Sequence, residues 1–333
     1  MKEALMALSQ YNVKHRDISV LQKGVFRIKA KEGDYCLKRT DRRTSKLIFI
    51  YSVLKHLVDS GFHQVSVPVL SQEGQPFVTS GRNIYSMTKW VSGVSCDFKR
   101  NHHLAAAAGT LAEFHNHAQH LKVLPGGKAR VMYYQWPKQF LKRIEDLREY
   151  QKICKGKSSL TDFEKRYLKY ADYFIDLGEK SYHTLQMSSY SQLAREAERR
   201  KTFTHRDIAA RNFIIGRDGL AYLIDFDYCR YDLRLTDVVR MIERTLKFFK
   251  WSPGKADFIL KNYNRVNLLS PEEYTVMLAF FQFPQKFWRI SNRYFHKQKR
   301  WQEEGYLKKL SSATRKLEQK EAFIKAFEKI YCL

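Results

Sequence analysis

Thr204-His205-Arg206-Asp207-Ile208-Ala209-Ala210-Arg211-Asn212-Phe213-Ile214-Ile215, with its echo Leu223-Ile224-Asp225-Phe226-Asp227, decides how this chain folds. Residues 213–215 and 221–224 are short apolar runs separated by Arg217-Asp218-Gly219. An Asp-Gly pair supplies the positive φ angles of a tight turn, so the two runs are expected as a hairpin. The hairpin draws Asn212 towards Asp225, while Asp207 falls in the loop that enters it. Two carboxylates and an amide then converge, a hard oxygen set of the kind that suits Mg²⁺.

Each of these residues has a task in phosphoryl transfer, which needs positioning and charge neutralisation more than covalent help. Asp207 is the expected base, accepting or orienting a hydroxyl proton. Asn212 and Asp225 are the expected metal ligands. Asp227, on the same side of an extended segment as Asp225, is a further ligand for metal or acceptor. The competing reading is a buried hairpin whose Asp and Asn satisfy turn backbone groups. His205, the flanking apolar runs and the Asp-x-Asp echo together favour the chemical one.

His-x-Asp-x-x-x-x-Asn followed by Asp-Phe-Asp resembles the aminoglycoside phosphotransferase and choline kinase branch of the protein-kinase-like fold. His205 to Asn212 also resembles a tyrosine-kinase catalytic loop, but Asp-Phe-Gly and an activation segment ending in Ala-Pro-Glu are missing. Residues 223–232 and 235–240 are similar to the bacterial spore-coat kinase-like family (CotS type), and that resemblance spans nearly the whole chain. It implies an α+β, two-lobed fold, with a small antiparallel-sheet lobe at 1–92 and a larger, mainly helical lobe at 93–333. It also implies ATP and Mg²⁺ as cofactors, transfer of the γ-phosphate to a hydroxyl of a small molecule or coat protein, and residence in the spore coat. The alternative is a noncatalytic scaffold of the same fold whose basic surface binds acidic coat partners.

The N-terminal third fits that frame. Residues 2–12 are expected as a helix, and 18–22, 25–30 and 34–39 as strands, punctuated by Gly24 and Gly33. The resemblance makes the turn at Gly24 a phosphate-covering loop, though one glycine is a weak signal. Period-two alternation puts Cys36 and Lys38 on one strand face, with Tyr35 and Leu37 on the other. Tyr-Cys-Leu-Lys resembles the kinase Val-Ala-Ile-Lys strand, which implies that Lys38 contacts the α and β phosphates and Cys36 borders adenine. Residues 44–59 carry the apolar stripe Leu47, Ile50, Val53, Leu54, Leu57 and Val58 of a core-facing helix. No Glu lies between Lys38 and Glu73, although active kinases commonly use one here to orient the lysine. Either Lys38 finds another carboxylate, or the phosphate grip is altered. Residues 76–81 and 83–91 read as two more strands, and the resemblance makes 88–91, with Lys89 and Trp90, the hinge that recognises adenine.

The remainder reads as helices. The alanine-rich run 104–121 has high helical propensity, Thr161 to Glu164 and Ser270 to Glu273 are helix starts, and Ser252-Pro253 is another. In 235–249, Asp237 and Arg240 are candidate supports for the catalytic loop. The aromatic and basic run 280–301, including Lys299 and Arg300, reads as a half-buried helix with a solvated basic face more than as a nucleic-acid platform.

The chain has 60 Lys plus Arg against 34 Asp plus Glu, a net charge of +26, so its field attracts anions. One nucleotide does not require that much charge. Five scattered cysteines without a Cys-x-x-Cys pair argue against a zinc site or a disulfide framework. The brief apolar run 4–8 is no signal-peptide core, and no stretch reaches membrane-span length, so cytoplasmic synthesis without membrane insertion is expected.

Overall fold

The computed structural model describes residues 1–297 and 301–332, so Lys299 and Arg300 lie outside the described residues. Two compact units emerge. The first comprises Met1–Val131, Arg200–Met241 and Phe258–Leu268, and the second Met132–Arg199, Ile242–Asp257 and Leu269–Leu333.

The first unit opens with helix α1 (Lys2–Leu8) and strands β1 (His15–Gln22), β2 (Val25–Ala30) and β3 (Gly33–Thr40), followed by helix α2 (Thr44–Asp59). Strands β4 (Pro68–Val69), β5 (Val78–Ser80) and β6 (Asn83–Lys89) complete an antiparallel sheet of order β1-β2-β3-β6-β4, with β5 also on β6. Alternation does what the sequence requires. Phe26, Ile28, Tyr35, Leu37, Tyr85 and Met87 form one buried face against Ala4, Ala7 and Leu8 of α1, which leaves Cys36 and Lys38 on the other. Helix α1 stops at Leu8, short of residue 12, because Tyr11 turns into this core at 3% exposure. Strand β4 went unforeseen, since two residues carry no periodicity.

Helix α2 has the expected bounds, but Phe49 is fully buried where Ile50 is only half-buried. Its ring packs edge-on to Tyr231 at 5.4 Å. Helix α3 spans Asn101–His117 and ends before residue 121, where His120 is left-handed and its N–H bonds the Arg200 carbonyl.

The hairpin forms as strands β9 (Phe213–Ile215) and β10 (Ala221–Leu223), with β7 (Val94–Ser95) beside β9. Strand β8 (Phe203–Thr204) pairs with β11 (Arg230–Tyr231). The turn departs from expectation: it is a longer loop in which Gly219 alone takes a positive φ, of 78°. Asp218 contributes its carboxylate instead, accepting from the Leu220 N–H at 3.0 Å. Just before β7, a Cβ at Gly93 would stand 2.1 Å from the Ile215 carbonyl oxygen and 2.8 Å from Ile214 Cγ2. Gly93→Ala is therefore expected to destabilise the protein by about 1–3 kcal/mol, as over-packing does. An unchanged urea midpoint would contradict this.

The second unit holds α4 (Trp136–Lys155), α5 (Asp162–Met187) and α6 (Tyr190–Arg199), while α7 (Leu235–Leu246) and α8 (Pro253–Asn264) contribute residues to both units. Helices α9 (Pro271–Gln282), α10 (Gln285–Phe295), α11 (Glu303–Thr314) and α12 (Leu317–Tyr331) complete it. Thr161/Glu164 and Ser270/Glu273 both close reciprocal capping boxes, as their spacing predicts. Helix α5 is central, packing on α4, α9 and α11. Stacked rings such as Phe140/Phe283 at 4.0 Å and Phe163/Tyr294 at 3.8 Å fill the interior. Helix α10 buries Phe287, Ile290 and Ser291 and exposes Lys286 and Arg289. All five cysteines are free thiols. Among the described residues no helix is long and apolar enough to cross a membrane.

Candidate active site

The predicted catalytic residues all lie in the first unit, on short segments. Asp237, in the first turn of α7, holds the loop that carries Asp207. Its carboxylate is wholly buried and accepts from the His205 N–H at 2.7 Å and the Arg206 N–H at 2.9 Å. Burial pushes the Asp237 pKa up, but His115 at 3.5 Å, His205 and Arg206 outweigh it and hold it below the usual carboxylate value. Arg206 is thereby kept at a φ of 71°, a conformation a non-glycine residue adopts only under constraint.

His205 is a structural pin. Its Nε2 lies 3.0 Å from the Ile224 carbonyl, which can only accept, so Nε2 carries the proton. Nδ1 then accepts from the Asp207 N–H at 3.3 Å. Burial lowers the His205 pKa and keeps the ring neutral. One imidazole thus couples the two halves of the motif, and a backbone bond from Ile224 N to Asn212 O at 3.0 Å adds a second tie.

Asn212 Nδ2 donates to the Asp207 carbonyl at 2.7 Å and to its Oδ2 at 3.0 Å. Arg211 Nη2 reaches the same Oδ2 at 2.8 Å. That contact was not foreseen, though the i,i+4 spacing of Asp207 and Arg211 is its sequence signal.

Asp225 and Asp227 do not lie along an extended segment. Asp225 is left-handed with a φ of 67°, and a 3₁₀ turn over Phe226–Tyr228 follows it. The turn brings both carboxylates round to one cation. Lys38 Nζ lies 2.8 Å from Asp225 Oδ1 and 3.0 Å from Asp227 Oδ2, with Arg42 at 3.7 Å from the latter. Burial opposes the charge on Lys38, but the two aspartates prevail and raise its pKa. The lysine without a helix glutamate has therefore found other carboxylates. In the first turn of α2 stands Lys46, whose ammonium bonds the Cys229 carbonyl.

The donor set fits a divalent cation. Asp225 and Asp227 already share one positive charge, and Asn212 adds a hard amide oxygen on the same hairpin. Among the described residues no three His, Cys, Asp or Glu side chains gather as a metal cluster, so here two carboxylates and an amide make up the candidate set.

The nucleotide-binding candidates are more dispersed. Cys36 is half-buried beside Lys38, and burial raises its pKa. Gly24 turns the chain between β1 and β2 at a φ of 80°, its carbonyl accepting from Arg39 N. In the segment expected as the hinge, Lys89 N–H is bonded to the Val67 carbonyl and Trp90 N–H to the Asp34 carbonyl, both at 2.9 Å. Arg27 covers the Trp90 ring at 4.8 Å. Both of those amides are taken up within the sheet, which strand periodicity alone does not reveal.

Residues 6–327 match the family model described as "Spore coat putative kinase YutH". Spore coat protein S of Bacillus subtilis (strain 168) is 22% identical over 315 residues, covering 92% of this chain and 87% of that protein. Among solved structures, an aminoglycoside phosphotransferase from Alicyclobacillus acidocaldarius subsp. acidocaldarius DSM 446 has a TM-score of 0.82 at 22% identity, covering 98% of this chain and 95% of that one. Spectinomycin phosphotransferase in complex with ADP and spectinomycin has a TM-score of 0.60 at 14% identity, covering 97% and 93%. A microcompartment-associated aminopropanol kinase has a TM-score of 0.61 at 14% identity, covering 98% of each chain. These likenesses show the fold: a kinase-like one, with a small antiparallel-sheet lobe and a larger helical lobe.

Proposed function

This chain belongs to the spore-coat kinase family, and on that premise we propose that it is an ATP- and Mg²⁺-dependent phosphotransferase of the spore coat acting on a hydroxyl acceptor. The observation that carries this reading is the Lys38, Asp225 and Asp227 cluster in the same unit as the Asp207 and Asn212 pair. Asp207 orients the acceptor hydroxyl and takes its proton. Asn212 fixes the Asp207 carboxylate, and Arg211 polarises it. Asp225, Asp227 and the Asn212 amide oxygen would hold Mg²⁺, which supplies neutralising charge to the nucleotide phosphates. Lys38 then passes from the aspartates to the α and β phosphates. Cys36 borders the base, the Gly24 turn covers the phosphates, and the segment around Lys89 and Trp90 receives the purine. The functional lobes are taken as 1–92 and 93–333. Kinase-fold relatives solved with ADP or AMP-PNP support a nucleotide here.

A scaffold of the same fold that binds acidic coat proteins is the second reading. It is favoured by the absence of a glutamate between Lys38 and Glu73 and by the single glycine, Gly24, in the turn that would cover the phosphates. Calorimetric titration of ATP with and without Mg²⁺ decides between them. Metal-dependent binding by the wild type that Asp225→Asn loses is the expected result. No nucleotide binding under either condition favours the scaffold.

A further inference from the structure

Within the second unit, cations from three helices and the segment after α7 converge on one patch. Lys286 and Arg289 lie on α10, Lys309 on α11, Lys320 on α12, and Lys247 just beyond α7. Two backbone contacts fix the convergence. Lys286 Nζ is drawn to the Ser312 carbonyl at the end of α11, at 2.5 Å. Lys316, between α11 and α12, reaches the Lys247 carbonyl at 3.4 Å. Lys286 faces Arg289, Lys247, Lys309 and Lys320, and Glu243 is the carboxylate whose charge acts on Lys320. Although Lys286 as a residue is exposed, desolvation of its ammonium and those four cations bring its pKa down to about 8. Like charges gathered on one patch oppose folding, and an anionic ligand relieves them.

The aromatic rings nearby discriminate between polyanions. Lys247 covers Phe248 at 4.7 Å, Lys320 lies 5.5 Å from the Trp251 ring centre, and Lys309 lies 5.3 Å from that of Trp301. Phe248 stays 51% exposed, but a ring with a cation over one face offers a base less stacking surface, whereas flexible carboxylates can reach the ammonium groups between the rings.

We propose that this patch, centred on Lys286, Lys309 and Lys316, is a docking site for an acidic protein segment rich in Asp and Glu. The site stands whether or not Asp207 turns over a substrate, while the choice of a protein partner rests on the spore-coat reading above. It also gives part of the +26 net charge a place to act.

The test uses the full chain and poly-L-glutamate as probe, at low and high salt, with duplex DNA as the competing polyanion. Poly-L-glutamate is expected to bind, more weakly as salt rises, and to protect Lys286 and Lys309 from acetylation. Lys286→Glu with Lys309→Glu should weaken binding at least tenfold more than Lys14→Glu with Lys31→Glu, a control of equal charge change on exposed residues of the first unit. Lys286→Gln with Lys309→Gln gives a milder variant should the reversal fail to fold. Equal weakening by the control, no binding at low salt, unprotected Lys286 and Lys309, or tighter binding of duplex DNA each overturns the assignment. Loss of ATP binding in the wild type would count against the phosphotransferase reading and leave this one standing.

Discussion

Asp207→Asn is expected to cut phosphoryl transfer about 10²- to 10⁴-fold, the range over which a positioned acid or base contributes, while Mg²⁺-dependent ATP binding persists. The substitution nearly preserves shape. An asparagine oxygen can still accept from Asn212 Nδ2, and the Asn212 contact with the backbone carbonyl at 2.7 Å is untouched. What disappears is a negative charge able to take a proton. The Arg211 ion pair goes too, but the Arg211 side chain is 69% exposed, so its loss costs at most about 1 kcal/mol. Turnover measured beside calorimetric ATP binding separates the effects. Full turnover in the variant would remove Asp207 from its role.

Asp237→Ala should act on stability as strongly as Asp207→Asn acts on rate. Two buried N–H groups, of His205 and Arg206, lose their acceptor. Each unsatisfied donor costs about 1–3 kcal/mol, so a loss of about 2–6 kcal/mol is expected in urea unfolding. The left-handed Arg206 backbone also loses its restraint. The pH dependence has a definite sign. Because the folded pKa of Asp237 lies below the ordinary aspartate value of 3.8, its stabilising contribution is present above that value and fades as pH falls through the folded one. The variant should therefore lose less stability than the wild type on acidification below 3.8. A variant as stable as wild type at neutral pH would refute the pinning of the loop by α7.

Much of the fold was legible because it is written in local periodicity. Alternation along 25–30 and 33–40 sorts a buried face from a lysine face, and the observed burial follows it. The two capping boxes depend on residues three apart, so they too read directly. The helix over 44–59 appeared with its bounds intact, yet its buried face turned to include Phe49, because Tyr231 packs on it from far along the chain.

The candidate residues could be named from the sequence, but their geometry was less legible. Spacing singled out Asp207, Asn212, Asp225 and Asp227 as candidates, and the place of Asp237 after them made it a candidate support for the loop. The backbone at Asp225 was misread, since an extended segment and a left-handed residue with a 3₁₀ turn have the same local composition. At Lys89 and Trp90, strand periodicity indicated the element, while their N–H bonds to Val67 and Asp34 depend on neighbours brought in by the sheet.

By itself the sequence determined the elements, the motif residues, the missing helix glutamate and the excess of positive charge. Tertiary structure decided what each charge faces. Lys38 meets Asp225 across 187 residues, and Lys286 gains the Ser312 carbonyl only when α10 and α11 pack. Local patterns follow from the chemistry of neighbouring residues. Electrostatic partners follow from distance in space, which is set only once the apolar faces have been buried.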